Sequence, residues 1–283
     1  MTILPNNFSV FILTHGRPDN VLTLKTLEKA GYNGRLYFIV DNEDETVDRY
    51  RKNFGEERVI VFDKKAEADD CDEGNNFDER RTITMARNAC FNIAERLGIK
   101  YFLQLDDDYC KFLFRFEKNL GNHWLIRRIE PVISLFLDFY KLIPAKSIAF
   151  SQGGDHIGGY SGYTQLKRKC MNSFFCSTDR PFKFVGAMNE DVNTYTTLGS
   201  RGELFFTFTS VQLDQEATQS QPGGITDMYL RFGTYCKAFT SVMMMPSSVR
   251  VSMMNTKSPR IHHLIDWGRT VPRIVSERHR KLS

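Results

Sequence analysis

The run YFLQLDDDYC, residues 101–110, drives an apolar, aromatic segment straight into three consecutive aspartates, Asp106, Asp107 and Asp108. The segment YFLQL reads as a strand, because its residues suit a pleated, buried surface. Three adjacent carboxylates repel one another, and burying them is costly unless a partner neutralises them. Three explanations compete. The aspartates could form a solvated charge cluster, with no ligand. They could be a phosphatase-like Asp-x-Asp nucleophile, although that signature sits on a first strand and continues into Thr or Val, whereas here Tyr109 and Cys110 follow. They could hold a divalent cation that bridges a diphosphate. Mg²⁺ and Mn²⁺ favour hard carboxylate oxygens and bind through one or two of them plus substrate phosphates. Asp106 and Asp108 share one short turn and could share such an ion.

Upstream, strands and helices alternate. FSVFILT (8–14) is a strand, HGRPD a turn, and Asp19 a candidate cap for a helix over VLTLKTLEKAG (21–31) that Gly31 ends. RLYFIVD (35–41) is a second strand running into Asp41 and Asp44. VDRYRKNFG (47–55) is a short helix closed by Gly55, and RVIVFDK (58–64) is a third strand. EADDCDEGNNFDE (67–79) reads as a polar loop. Ile83, Ala86, Cys90, Ile93 and Leu97 then repeat by three and four, as one face of a helix over 82–97. Arg87 lies on the shoulder of that stripe. Alternation of this kind predicts an α/β fold with a mostly parallel, Rossmann-like sheet and helices on both faces. In such sheets ligands bind beyond the carboxyl ends of the strands. Thr14, His15 and Arg17, then Asp41, then Asp106 to Asp108 all fall there. That convergence of separate segments carries more weight than any one motif.

Downstream the pattern is less regular. Residues 124–143 read as a long helix with Pro131 as its kink or start, and SIAFSQ (147–152) as a strand before the Gly-rich GGDHIGG (153–159). GAMNEDV (186–192) places the carboxylate pair Glu190–Asp191 at a turn before a helix. GELFFTFTSVQL (202–213) reads as a strand and QEATQSQPGGITD (215–227) as a polar loop. RIHHLIDW (260–267) brings His262 and His263 late in the chain. No linker divides the chain and no repeat appears, so the expectation is one domain over 1–283, with a regular half to residue 110 and a less regular half after it.

With 41% hydrophobic and 25% charged residues, the chain is an ordinary globular protein rather than a disordered one. A net charge of +4 permits an anionic partner without demanding one. Lys167, Arg168, Lys169, Arg201 and the tail from Arg269 to Lys281 are candidates to meet it. None of the six cysteines forms a CxxC pair or metal spacing, and no apolar run approaches a membrane span. The expectation is a cytoplasmic protein with free thiols and no membrane contact.

The ordered set FILTHGRPD (11–19), IVD (39–41), ARN (86–88) and QLDDDY (104–109) resembles a glycosyltransferase of the GT-A fold. The resemblance implies that Thr14, His15 and Arg17 line a nucleotide site, that Asp41 reads the base, that Arg87 supports the nucleotide, and that Asp106 and Asp107 approach it. It implies that Asp108, with Asp106, ligates Mn²⁺ or Mg²⁺, joined by His262 or His263. It also implies a nucleoside-diphosphate sugar donor, UDP-sugar favoured, and Asp191, with Glu190 as the alternative, as general base for an inverting transfer. NEDVNTYTTLGSRGELFFTF (189–208), TDMYLRFGTYCKAF (226–239) and RIHHLIDW resemble the TET-associated phage glycosyltransferases, whose implied acceptor is the hydroxyl of 5-hydroxymethylcytosine or another 5-hydroxymethylpyrimidine in phage DNA.

Rival readings are a transferase for saccharide or lipid-linked acceptors, a nucleotidyltransferase, a metal-dependent nuclease using Asp106, Asp108, Glu190 and Asp191, and a catalytically inert donor-binding protein. A nucleotidyltransferase would carry a Gly-rich, basic loop after the first strand, and HGRPD is too short and glycine-poor for that.

Overall fold

The computed structural model describes residues 2–72, 80–115, 123–156, 170–216, 233, 235–254, 259–270 and 277. Lys167, Arg168 and Lys169, the ends of the two polar loops, and the basic tail beyond 270, Glu277 apart, lie outside the described residues, as do 157–159 of the Gly-rich stretch.

The strands are β1 (Phe8–Leu13), β2 (Leu36–Asp41), β3 (Val59–Phe62), β4 (Tyr101–Asp106), β5 (Tyr109–Phe114), β6 (Trp124–Leu125), β7 (Ser147–Gln152), β8 (Ser173–Ser177), β9 (Phe205–Gln215), β10 (Val249–Met254) and β11 (Arg260–Ile265). The helices are α1 (Leu22–Lys29), α2 (Val47–Phe54), α3 (Lys64–Asp69), α4 (Thr84–Arg96), α5 (Ile129–Leu142), α6 (Glu190–Ser200), α7 (Cys236–Met244) and α8 (Trp267–Thr270).

One sheet takes strands from both halves of the chain, in the order β3-β2-β1-β4-β8-β7-β9-β5-β6. The pairings make it mostly parallel in sense, with β8 and β5 running against the rest. Alternate residues of each strand serve opposite faces. Val10, Ile12, Leu103 and Leu105 join one core with α1, α2 and α5, and Phe11, Leu13 and Phe102 join the other with α4 and α6. This is the expected α/β arrangement, a mostly parallel sheet with helices on both faces. The order reverses at β1, and Leu13 stands in register with Asp106. That switch point is where an α/β sheet opens a crevice for a ligand.

Only two residues separate β4 from β5, yet these strands are not neighbours. Thr23, buried at the start of α1, pins the turn. Its hydroxyl donates to the Asp106 carbonyl at 2.5 Å and accepts from the Tyr109 N–H at 3.0 Å, while its own N–H donates to the Asp107 carbonyl at 3.1 Å. The aspartate turn is thus held by its backbone, leaving its side chains for other work.

Several local expectations are corrected. Asp19 does not cap α1, which starts without a side-chain cap; it pairs instead with Arg49. Residues 124–143 are not one helix. Trp124 and Leu125 pair with Phe114 and Leu113, and α5 begins at Ile129 with Pro131 in its first turn, where the missing N–H costs nothing. The polar stretch from Glu67 begins as helix, because Asp63 caps α3 by accepting from the Ala66 N–H at 3.0 Å. Strand β5 had no counterpart in the expected pattern.

Candidate active site

A cavity of about 800 Å³ opens at the carboxyl edge of the sheet. Thr14, His15 and Arg17 line it from the end of β1, Asp41 from β2 and Asp106, Asp107 and Asp108 from β4. Glu190 and Asp191 face it from the first turn of α6, and His262 and His263 from β11. Of the residues expected from sequence, Arg87 alone is not in the lining; it is sealed behind it.

Arg87 is fully buried on α4, against the rings of Phe174 and Phe184. Its Nη2 donates to Asp106 Oδ1 at 2.9 Å and its Nε to Glu190 Oε1 at 3.0 Å. One guanidinium therefore ties the aspartate turn to the acidic pair on α6. Its Nη1 is buried without a hydrogen-bond partner. Burial works against the guanidinium charge, but Asp106 and Glu190 outweigh it and raise its pKa. Any support Arg87 gives a nucleotide is therefore exerted through Asp106.

The three aspartates differ in their partners. Asp107 is saturated: Oδ1 accepts from Arg17 at 2.9 Å and Oδ2 from the Thr14 hydroxyl at 2.7 Å. It clamps the end of β1 to the end of β4. Asp106 is pushed up to about 8 by burial, with Arg87 pulling the other way and Asp108 and Glu190 adding to the rise. Asp108 is also raised, by burial first, and Gln215 donates to its Oδ2 at 2.9 Å. Its Oδ1 is buried with no hydrogen-bond partner. A buried carboxylate oxygen left unsatisfied is costly in a folded protein.

That oxygen bears on the cation. Among the described residues, no three of His, Cys, Asp and Glu stand close enough to hold a metal ion by themselves. His262 and His263 line the same cavity as Asp106 and Asp108 but are not gathered with them into such a group among the described residues. The imidazoles follow their strand instead: the rings lie 4.1 Å apart, and His263, buried, lies 3.4 Å from Asn189 Nδ2. Asp106 and Asp108 still fit a hard cation that brings further oxygen ligands on a diphosphate, the usual way Mg²⁺ is held.

Asp41 is engaged on both oxygens. His15 Nδ1 lies 2.6 Å from Oδ2, and the buried Lys64 ammonium donates to Oδ1 at 3.3 Å. Burial opposes the Asp41 charge, but His15 and then Lys64 outweigh it and hold the carboxyl below its ordinary range. His15 is raised chiefly by its hydrogen bond to Asp41. Asp41 does not cap α2; Asp44 Oδ1 instead accepts from the Thr46 N–H and hydroxyl. Sequence reasoning missed Lys64, Gln215 and Lys237 as site residues. Lys64 and Gln215 follow or end strands β3 and β9, so the edge rule that found Asp41 could have found them.

Two backbone features aim the acidic pair. Gly186 has φ +87°, and a Cβ there would lie 2.3 Å from the Asn193 side-chain nitrogen, so only glycine fits this turn. Asn189, just before α6, is left-handed at φ 54°, and its side-chain nitrogen donates to the Lys237 carbonyl and the Ser241 hydroxyl. The start of α6 is thereby fastened to α7.

The family model for TET-associated glycosyltransferases matches residues 8–224. The chain belongs to this family. It is accordingly a glycosyltransferase. No curated protein matches it. Among solved structures it is similar to the glucosyl-3-phosphoglycerate synthase of Mycobacterium tuberculosis in complex with Mn²⁺, UDP and phosphoglyceric acid, at 11% identity and a TM-score of 0.47, over 91% of this chain and 86% of that one. It is also similar to the Pyrobaculum calidifontis mannosyltransferase PcManGT in complex with GDP-Man and Mn²⁺, at 9% identity and 0.46, over 87% and 75%. For S. aureus TarS in complex with UDP the values are 10% and 0.44, over 85% and 65%. In this TET-associated glycosyltransferase the hairpin bearing His262 and His263 lies beyond the matched residues. None of its described helices is long and apolar enough to cross a membrane.

Proposed function

We propose that this glycosyltransferase moves a sugar from a nucleoside-diphosphate sugar to the hydroxyl of a 5-hydroxymethylpyrimidine in DNA, with inversion. The observation that carries the reading is the buried, unpartnered Asp108 oxygen beside Asp106, in a cavity that the Glu190–Asp191 pair also lines. A divalent cation held by Asp106 and Asp108 would act as a Lewis acid for the departing diphosphate.

The protein's own residues divide the remaining work. His15, Lys64 and Asp41 form a preset polar group where a nucleotide base would lie, and a UDP-sugar is the favoured donor. Arg17, steered by Asp107, presents positive charge beside the diphosphate. Asp191 takes the proton of the acceptor hydroxyl as its oxygen bonds to the anomeric carbon and the bond to diphosphate breaks. Glu190 is less suited to that task, because Arg87 already holds it. A single displacement by the acceptor oxygen, with Asp191 taking only its proton, inverts the anomeric centre.

The family resemblance supports the DNA acceptor. The chemistry is compatible with it, since a C5 hydroxymethyl group projects into the major groove. On this reading the protein acts in the cytoplasm of a phage-infected host. The test offers hydroxymethylated and plain duplexes with a panel of nucleotide sugars and Mn²⁺ or Mg²⁺, followed by mass spectrometry of digested nucleosides. Added hexose or pentose mass on hydroxymethylated DNA alone is expected. No transfer from any donor removes the DNA acceptor, and strand cleavage without donor favours the nuclease.

A further inference from the structure

Strands β10 and β11 form a two-stranded antiparallel ribbon apart from the main sheet, with Val251 facing His263, Met253 facing Ile261 and Met254 facing Arg260. A lone hairpin is marginal in water, so it must be held at its base. Val249 and His263 are buried there, and α7 packs against both strands. The far end of the ribbon is bare, with Met253 54% exposed and Ile261 41%, and Val251 and Leu264, nearer its base, are exposed as well. The only charges on the two strands are Arg250 and Arg260, both exposed, and neither strand carries a carboxylate. Its base delivers His262 and His263 to the wall of the cavity.

An exposed ribbon that is apolar, purely cationic and continuous with the catalytic cavity calls for a partner with anionic rails and apolar surface between them. From this we infer that β10–β11 is the ribbon that enters the major groove of the acceptor DNA, a deepening that rests on the proposed DNA acceptor. The major groove, about 12 Å wide, admits a two-stranded β-ribbon, and its floor offers the pyrimidine C5 substituents to apolar side chains. Arg250 and Arg260 stand on the opposite face of the ribbon from Met253 and Ile261, and their long side chains reach past its edges to phosphates on the groove walls. Met253 and Ile261 lie against the base edges. The hydroxymethyl group occupies the same groove, so the element that grips the duplex also brings the acceptor to the cavity.

The test uses the full chain with Arg250→Ala/Arg260→Ala and Met253→Ser/Ile261→Ser, the second pair removing exposed apolar side chains that do not line the cavity. A hydroxymethylated duplex is titrated at several salt concentrations. Each phosphate contact contributes about 0.9 to the slope of log K against log salt, so the double arginine variant should lose about 2 from that slope. KM for DNA should rise at least tenfold with kcat at saturation and UDP affinity unchanged, a split that mere unfolding does not produce. Dimethyl sulfate should find guanine N7 atoms beside the target protected by the wild type and open with either variant. Wild-type KM, salt slope and protection in both variants overturn the ribbon while leaving the DNA transferase intact. A wild type that dimerises through the ribbon, shown by loss of the dimer in Met253→Ser/Ile261→Ser with DNA binding unchanged, also overturns it. A wild type that neither binds nor glycosylates the duplex removes both the ribbon and the acceptor.

Discussion

Replacing Arg87 by Met should destabilise the protein by about 3–5 kcal/mol, the usual cost of deleting one partner of a buried ion pair. The Arg87 side chain is 1% exposed, against 14% for Asp106 and 12% for Glu190, so solvent screening offers little relief. Met keeps the length and the apolar contact with Phe174 and Phe184, so the loss isolates the charge. At roughly 2–4 °C per kcal/mol for a domain a little smaller than this one, the midpoint should fall by roughly 6–20 °C. Thermal unfolding followed by circular dichroism measures it. Adding Glu190→Gln to Arg87→Met removes one of the stranded carboxylates and should recover part of the loss, a non-additivity expected of residues in contact. A single variant within 1 kcal/mol of wild type, by the rule that such pairs matter when buried, would refute the bridge. So would a double variant weaker than the sum of its parts.

Three further outcomes follow from the same contacts. Asp108→Asn removes a carboxyl that burial holds above its ordinary range, so the protein without cation should melt at the same temperature or higher, while stabilisation by Mn²⁺ with UDP disappears; an unchanged shift in scanning fluorimetry would take Asp108 out of the cation site. Asp191→Asn should leave UDP affinity intact and cut transfer by roughly 10²-fold or more, the scale of a lost general base, and single-turnover kinetics would expose a variant that keeps its rate. The His15–Asp41 contact sets a pH window. His15 is raised above its ordinary 6.5, so its contribution is full below that value and is lost as pH rises through its higher folded pKa; Asp41 is lowered from 3.8, so its contribution is full above that value and is lost below. The stability gap between wild type and His15→Ala should shrink above neutral pH, and a gap constant from pH 5 to 9 contradicts the pairing.

Much of this site was legible along the chain because it obeys local rules. Short apolar strands alternating with helices imply a mostly parallel sheet, and such a sheet presents its strand ends on one edge. Residues 14–17, 41 and 106–108 could therefore be placed together without coordinates, whereas Glu190 and Asp191 were marked by the family resemblance. The misplacements came where a long-range partner overrode a local signal. Asp19 has the chemistry of a helix cap, but Arg49 and Asn53 take it. Trp124 and Leu125 suit a helix, yet β5 was there to pair with them. His262 and His263 were marked by resemblance alone, and it is the β10–β11 pairing that brings them to the cavity wall beside Asn189.

The sequence by itself determined the α/β class, the edge at which polar groups converge and the residue types that meet there, because these depend on periodicity and on neighbours a few positions apart. The tertiary structure alone decided how three identical carboxylates divide their roles. Asp107 is clamped by Arg17 and Thr14, Asp106 is tied by Arg87 to Glu190, and Asp108 keeps a buried oxygen without a partner. Those differences arise from burial and from partners 19 to 107 positions away, which no local pattern encodes.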